Sequence, residues 1–322
     1  MRSKLLIAAA VLMVGLVGSL PAVVTAQSDP PQVCTQPDEA FDLFAERIGK
    51  KRIGYGLTPG DATVPGPTIE MTEGQCIAVT LVNDTDLRVS LHVHGAHYTP
   101  ASDGTVHNSS CVASGKSRTY LFSAPGPHTT ANGTAVPGTA GYWHYHDHCM
   151  QGAHGTAGIQ AGLFGAFVIR KPGEPRPDRG PYVLTMGPGI TINKQKAPRT
   201  PVVEANQGEV AEFVIIGEGE LFHTFHLHGH RWADNRTGLP AFEGEQVIDN
   251  KTVGPADSFG FQVVAGDGVG PGAWMYHCHV QSHSDLGMSG IFLVRTADGQ
   301  ITPQAQAALD KWRQIEGGHA RH

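Results

Sequence analysis

The sequence predicts an all-β protein of two tandem β-sandwich domains, with a short helix near each end. Three observations carry that expectation. Short apolar runs at 76–82, 119–122, 163–169, 210–216, 259–264 and 291–294 are separated by Gly, Pro, Asn and Asp. Glycine (41) and proline (22) are abundant, as sandwiches with many turns require. The chain also repeats itself. TIEMTEGQCIAVTLVN…LHVHG over 68–95 is matched by VVEANQGEVAEFVIIG…FHLHG over 202–229, and GYWHYHDHC…GLFGAFVIR over 141–170 by GAWMYHCHV…SGIFLVR over 272–295.

Taken in order, the chain opens on Arg2 and Lys4, an apolar run over 5–20, a helix-breaking Pro21 and the small residues Val24-Thr25-Ala26. That pattern reads as an export signal over 1–26, cleaved after Ala26, by the general secretory route because no Arg pair precedes it. A membrane anchor is the alternative, since about 20 apolar residues span a bilayer. After cleavage no other stretch could cross a membrane, so the expected location is extracellular or periplasmic. The first domain runs over 30–170. The charged, proline-rich KPGEPRPDRGP over 171–181 links it to a second domain over 182–296, and 297–322 form a tail. Helical spacing occurs twice. Over 38–49, Phe41, Phe44 and Ile48 share a face, and over 302–315, Ala308, Trp312 and Ile315 do. Formal charge is −6 from 23 basic and 29 acidic residues, without a like-charge run, which leaves nucleic-acid binding without support.

Histidine carries the chemistry. Ten of the 18 fall into tight clusters, and eight form four His-X-His units: His92/His94, His146/His148, His226/His228 and His277/His279. Alternate residues of a strand face the same way, so each unit presents two imidazoles on one face. One such unit is weak evidence. Four, two per repeat and separated by 52 and 49 residues, are not chance. Eight imidazoles are too many for one zinc ion and suit a cluster of about three ions; open imidazole-rich sites favour copper.

The second repeat holds more. In His277-Cys278-His279 the sulfur must point away from the face the two imidazoles share, toward a separate metal. His223 lies three residues before His226, His283 five after Cys278 and Met288 ten after it. Cysteine, two histidines and a weak methionine are the ligand set of a blue copper electron-transfer site. The first repeat has Asp147, Val89, Gly152 and Ala157 at these places, so it keeps the cluster ligands and lacks the blue site. The same alignment selects His146 and His148 as ligands and leaves His144 as a supporting residue.

From about 64 to 295 the sequence resembles the multicopper oxidases, and specifically the two-domain small laccases, through HCHxxxHxxxxM and the paired His-X-His units. The resemblance implies two cupredoxin-like Greek-key sandwiches and four coppers per chain. His223, Cys278, His283 and Met288 match the type 1 ligands, and His92 and His226 match those of type 2. His94, His146, His148, His228, His277 and His279 match the paired type 3 coppers. Asp103 resembles the acid that delivers protons to the cluster. The implied activity couples four one-electron oxidations of phenols, aromatic amines or similar donors to reduction of dioxygen to water. Electrons would pass from Cys278 through His277 and His279. Each domain contributes four cluster histidines and the linker is about ten residues. The resemblance therefore also implies a homotrimer in which domain one of each subunit meets domain two of its neighbour.

Three other copper functions have their own requirements. A copper nitrite reductase needs its blue copper in the first domain, a cuprous-ion oxidase needs a Met-rich docking segment, and a copper carrier needs exchangeable sites. None fits this pattern as well. The cysteines depart from the resemblance, so pairing is open among three arrangements of Cys34, Cys76, Cys111 and Cys149. Cys149 follows His148, and Cys111 lies in the loop leading from Asp103. The expected bridges are therefore Cys111–Cys149 and Cys34–Cys76.

Overall fold

A computed structural model describes residues 34–319; the expected export signal lies outside the described residues. The first unit comprises β1 (Glu39–Ile48), β2 (Arg52–Gly56), β3 (Gly66–Thr72), β4 (Cys76–Asn83), β5 (His92–Val93) and β6 (Ser117–Ser123). A small hairpin, β7 (His128–Thr129) and β8 (Ala135–Val136), leads to β9 (Gly141–His146), α1 (Thr156–Ala161) and β10 (Phe164–Arg170). The second unit comprises β11 (Arg179–Met186), β12 (Val202–Asn206), β13 (Val210–Gly217), β14 (His223–Leu227), β15 (Trp232–Ala233) and β16 (Val247–Ile248). It continues through β17 (Asn250–Val253), β18 (Ser258–Val264), β19 (Gly272–Cys278), α2 (Gln281–Asp285) and β20 (Ser289–Arg295) to α3 (Pro303–His319).

Each unit is a sandwich of two sheets: β2-β1-β4-β6 with β3-β10-β9-β5, and β11-β13-β18 with β12-β20-β19-β14-β17. The sequence repeat is a structural repeat. The parallel pairs β1/β4 and β3/β10 return as β11/β13 and β12/β20, and the antiparallel pair β9/β10 returns as β19/β20. Side chains show the same duplication. Tyr145 donates its hydroxyl to the Pro67 carbonyl and Tyr276 to that of Pro201, each at 2.6 Å. Strands β10 and β20 are apolar without alternation because both faces are covered. One face packs on the sandwich core. The other face of β10 packs on the second domain, and that of β20 on α3.

Two helical expectations need correction. Within 38–49 the chain forms strand β1, not a helix. Phe41, Leu43 and Ala45 alternate toward the core, and β1 pairs with β4 on one side and β2 on the other. Those sheet contacts override a spacing that fits both periods. The C-terminal helix is present, but its buried face is Ala305, Leu309 and Trp312, while Ala308 and Ile315 are exposed.

The domains of one chain join through an apolar patch of Tyr142, Ala166 and Val168 against Val183, Val214 and Ile216. A buried ion network sits beside it. Arg170 grips Glu212 with two hydrogen bonds of 2.9 and 2.7 Å and also reaches Glu70 at 2.8 Å. Tyr142 and Gln262 add bonds to Glu212 of 2.7 and 3.1 Å. Burial alone would raise the Glu212 carboxyl, but these donors outweigh it and hold it below its ordinary value. The linker is pinned to the same region, with Arg176 on Glu70 and Glu174 on Arg236. Glu212→Ala should destabilise the protein by about 3 kcal/mol, because it leaves the buried Arg170 partly uncompensated. The depressed carboxyl makes this contribution present at neutral pH and lost as pH falls through its folded value. Thermal unfolding at neutral pH checks it, and an unchanged midpoint would contradict it.

Candidate metal centres

The His-X-His units sit where strands run out. In the first domain His92 opens β5, opposite His146 at the end of β9, and His94 and His148 follow in the turns. In the second domain His226 on β14 lies opposite His277 on β19. Gly95 and Gly229, which end the two HxHG turns, have φ of +80° and +70°, and a Cβ there would collide with Trp143 or Trp274. Only glycine lets each turn lie on its tryptophan.

The two halves have the same geometry. His94 Nε2 and His146 Nε2 are 3.2 Å apart, as are His228 Nε2 and His277 Nε2. Four of the cluster histidines have their Nδ1 engaged. His92 Nδ1 donates to the Asp103 carbonyl and His226 Nδ1 to that of Asp249, each at 2.7 Å. His146 and His277 donate to the carbonyls of Asp147 and Cys278 at 2.9 Å. These bonds fix each tautomer and leave Nε2 bare to bind a metal. Burial, then neighbouring imidazoles, push His94 down to about 3; burial, against an opposing push from Glu218, puts His146 at about 3. His228 and His277 are lowered as well, first by burial. Neutral imidazoles gathered with their Nε2 atoms facing one another are a donor set built for cations. Within 4.8 Å of one another lie the donor atoms of His92, His94 and His146, and separately those of His226, His228 and His277. His148 and His279 flank these triads, with ring centroids 5.2 Å from His92 and 5.4 Å from His226. Among the described residues no ring contact joins the two halves.

A third group has a different donor set. Cys278 Sγ lies 3.8 Å from His223 Nδ1 and 3.7 Å from His283 Nδ1, and the two nitrogens are 3.2 Å apart. Cys278 is fully buried and is the one free cysteine among the described residues. Its side chain enters the second core while His277 and His279 turn to the cluster side, as strand alternation requires. His283 comes from α2, and the buried Met288 closes that loop, accepting the Cys278 N–H at 3.0 Å through its carbonyl. Burial, then His283, push His223 down to about 4, so it is a neutral donor. A thiolate with two imidazoles suits copper. The corresponding place in the first domain is filled by the Asp147 carboxylate, which accepts N–H bonds from Ser90 at 2.7 Å and Met150 at 2.8 Å.

Asp103 follows the short 3₁₀ turn Pro100–Ser102. Its carboxylate lies 3.6 Å from His92 Nδ1 and accepts from Asn108 at 2.6 Å and from Thr105. It is both a turn residue and a neighbour of the cluster. The two bridges are Cys34–Cys76 and Cys111–Cys149, with Cα separations of 5.4 and 6.0 Å. The second ties the residue after His148 to the Asp103 loop. His144 joins none of the three donor groups; it lies against His94, and its Nδ1 is 3.1 Å from Glu218 of the second domain. Sequence reasoning missed two residues. Asp249 is the second-domain counterpart of Asp103, hidden because it lies 23 residues after His226 whereas Asp103 lies 11 after His92. Glu218 was missed too; its one visible signal is a charge closing the apolar run of β13.

The chain is similar to known proteins of one family. Sequence models of the multicopper oxidase family match residues 60–174 and 175–298, so the chain belongs to the multicopper oxidases. These are copper oxidoreductases that use oxygen and reducing substrates. It is 31% identical to a probable nitrite reductase-hydroxylamine oxidoreductase fusion protein of Kuenenia stuttgartiensis, over 89% of this chain and 33% of that one. It is 33% identical to a multicopper oxidase of Mycobacterium tuberculosis, over 59% of this chain and 37% of the relative. The chain thus spans about a third of the length of these relatives. Two solved structures share the cupredoxin fold. A blue copper oxidase from Nitrosomonas europaea has a TM-score of 0.56 at 24% identity, covering 84% of this chain and 94% of its own. A copper nitrite reductase from the same organism has 0.59 at 18%, covering 83% and 94%.

Proposed function

We propose that the protein is a laccase-type oxidase, which takes single electrons from phenols, aromatic amines or similar small donors and reduces dioxygen to water. One observation carries this reading: the Cys278 donor group and a histidine half-cluster share three consecutive residues, His277-Cys278-His279. Bound copper supplies reversible one-electron chemistry at each centre, four ions per chain in this proposal. The protein does the rest. His223, Cys278, His283 and Met288 hold the type 1 site, with the half-buried His283 toward donors. His92 and His226 serve type 2, and the other six cluster histidines serve type 3. Two covalent paths, from Cys278 to His277 and to His279, connect collection to delivery. Asp103, beside His92, passes protons toward the cluster.

Nitrite reduction is the reading to set against it, because nitrite reductases share the fold and one relative carries that name. Eight cluster histidines and a blue-copper donor set in the second domain favour oxygen. The test is direct: the copper-loaded protein, given a phenol, should consume oxygen and leave nitrite untouched. Nitrite consumed without oxygen uptake would reject the oxidase reading.

Each half-cluster lies in a different domain, and among the described residues the two form separate donor groups. The inferred working form is a homotrimer, exported by the 1–26 signal, in which domain one of each subunit completes its cluster against domain two of the next. A His92→Ala/His94→Ala variant and a His226→Ala/His228→Ala variant should each be inactive alone. Co-refolded, they should regain oxygen uptake, in particles that light scattering sizes at three chains. A fully active monomer would rule the arrangement out.

A further inference from the structure

The first-domain half-cluster is supported from the other domain by a buried polar pair. Glu218 closes β13 and is fully buried, with its N–H on the Met186 carbonyl at 2.9 Å. Its side chain leaves its own domain and meets His144 Nδ1 at 3.1 Å. His144 lies on the same side of β9 as His146 and is 1% exposed. Its ring centroid is 4.0 Å from that of His94, and its carbonyl accepts the His94 N–H at 2.9 Å. His144 thus touches His94 through both ring and main chain, and Glu218 holds the ring.

The second domain shows what the pair adds. The residue matching His144 is Met275, whose carbonyl accepts the His228 N–H at the same 2.9 Å. The main-chain support is therefore common to both halves, and the side-chain support is not. Met275 packs under α3 in an apolar cluster. An apolar side chain fills that place without leaving buried polar atoms, whereas His144 Nε2 is buried without a hydrogen-bond partner. That desolvation is unfavourable. What a directional bond to Glu218 gives in return is a fixed ring plane.

We infer that Glu218 is a positioning residue: through His144 it sets the plane of His94, and with it the gap between His94 and His146 that a copper ion fills. Contact between the domains of one chain then presets the half-cluster offered to the neighbouring subunit. The inference rests on the proposed cluster, and His94→Ala tests that separately, since it must lose copper whatever Glu218 does. Copper retention by the full-length, copper-loaded protein against a chelator is the readout, with the blue band and EPR spectrum recorded alongside. Glu218→Met and His144→Phe should hold cluster copper about 10–100-fold more weakly, the usual effect of removing a residue that orients a ligand. The blue band should persist in both. Glu218→Gln keeps an acceptor at the same place and should restore retention. Val214→Ala, in the same interface and four residues before Glu218, removes no bond of the Glu218–His144 pair, so it should lower thermal stability and leave retention native. If Glu218→Met does not fold, His144→Phe carries the test. Native copper retention in either variant, or a Glu218→Gln protein as leaky as Glu218→Met, would overturn the inference.

Discussion

Cys278→Ser should lose the intense thiolate-to-copper absorption entirely, and oxygen uptake with it. The sulfur is fully buried beside two imidazole nitrogens at 3.7 and 3.8 Å, and no other free cysteine is near to replace it. A serine hydroxyl is a hard, neutral donor and does not reproduce a thiolate. The substitution is nearly isosteric and leaves the main chain of β19 paired with β14 and β20. His277 and His279 keep their places, so the EPR signal of the type 2 copper should persist. A blue Cys278→Ser protein would show that the visible copper lies elsewhere.

Asp103→Asn should lower turnover by about 10²–10⁴-fold, the range for loss of a positioned proton-transfer group. Copper content and blue colour should stay native. The separation is possible because Asp103 holds His92 through its main-chain carbonyl, which the substitution retains. An asparagine oxygen can still accept from Thr105 and Asn108, so the turn survives. What disappears is the carboxylate 3.6 Å from the ligand ring. Unchanged oxygen uptake would leave Asp103 as a turn former and nothing more.

Much of the site was legible because strand alternation is short-range. His-X-His fixes a shared face without any knowledge of the fold, and the middle residue must take the other face. That is why the Cys278 group could be separated from the cluster, and why Asp147 could be read as its substitute. The repeat decided between His144 and its neighbours for the same reason, since two copies of one strand must place their ligands alike. The misreadings lie where long-range contacts decide. Phe41, Phe44 and Ile48 fit a helix as well as Phe41, Leu43 and Ala45 fit a strand, and the pairing of β1 with β4, about 38 residues away, settles the matter. Asp249 and Glu218 depend on loop length and on docking of the two domains, neither of which leaves a periodic trace in sequence.

The separation of electron collection from dioxygen reduction is best tested by stoichiometry. Oxygen uptake should be followed in an electrode cell with a phenol or aromatic amine, counting donor oxidised and peroxide formed. Complete reduction to water requires four donor molecules, each losing one electron, per dioxygen, with no peroxide accumulating. Two donors per dioxygen with one peroxide released would contradict it, because the histidine halves would then not be acting together on one oxygen molecule.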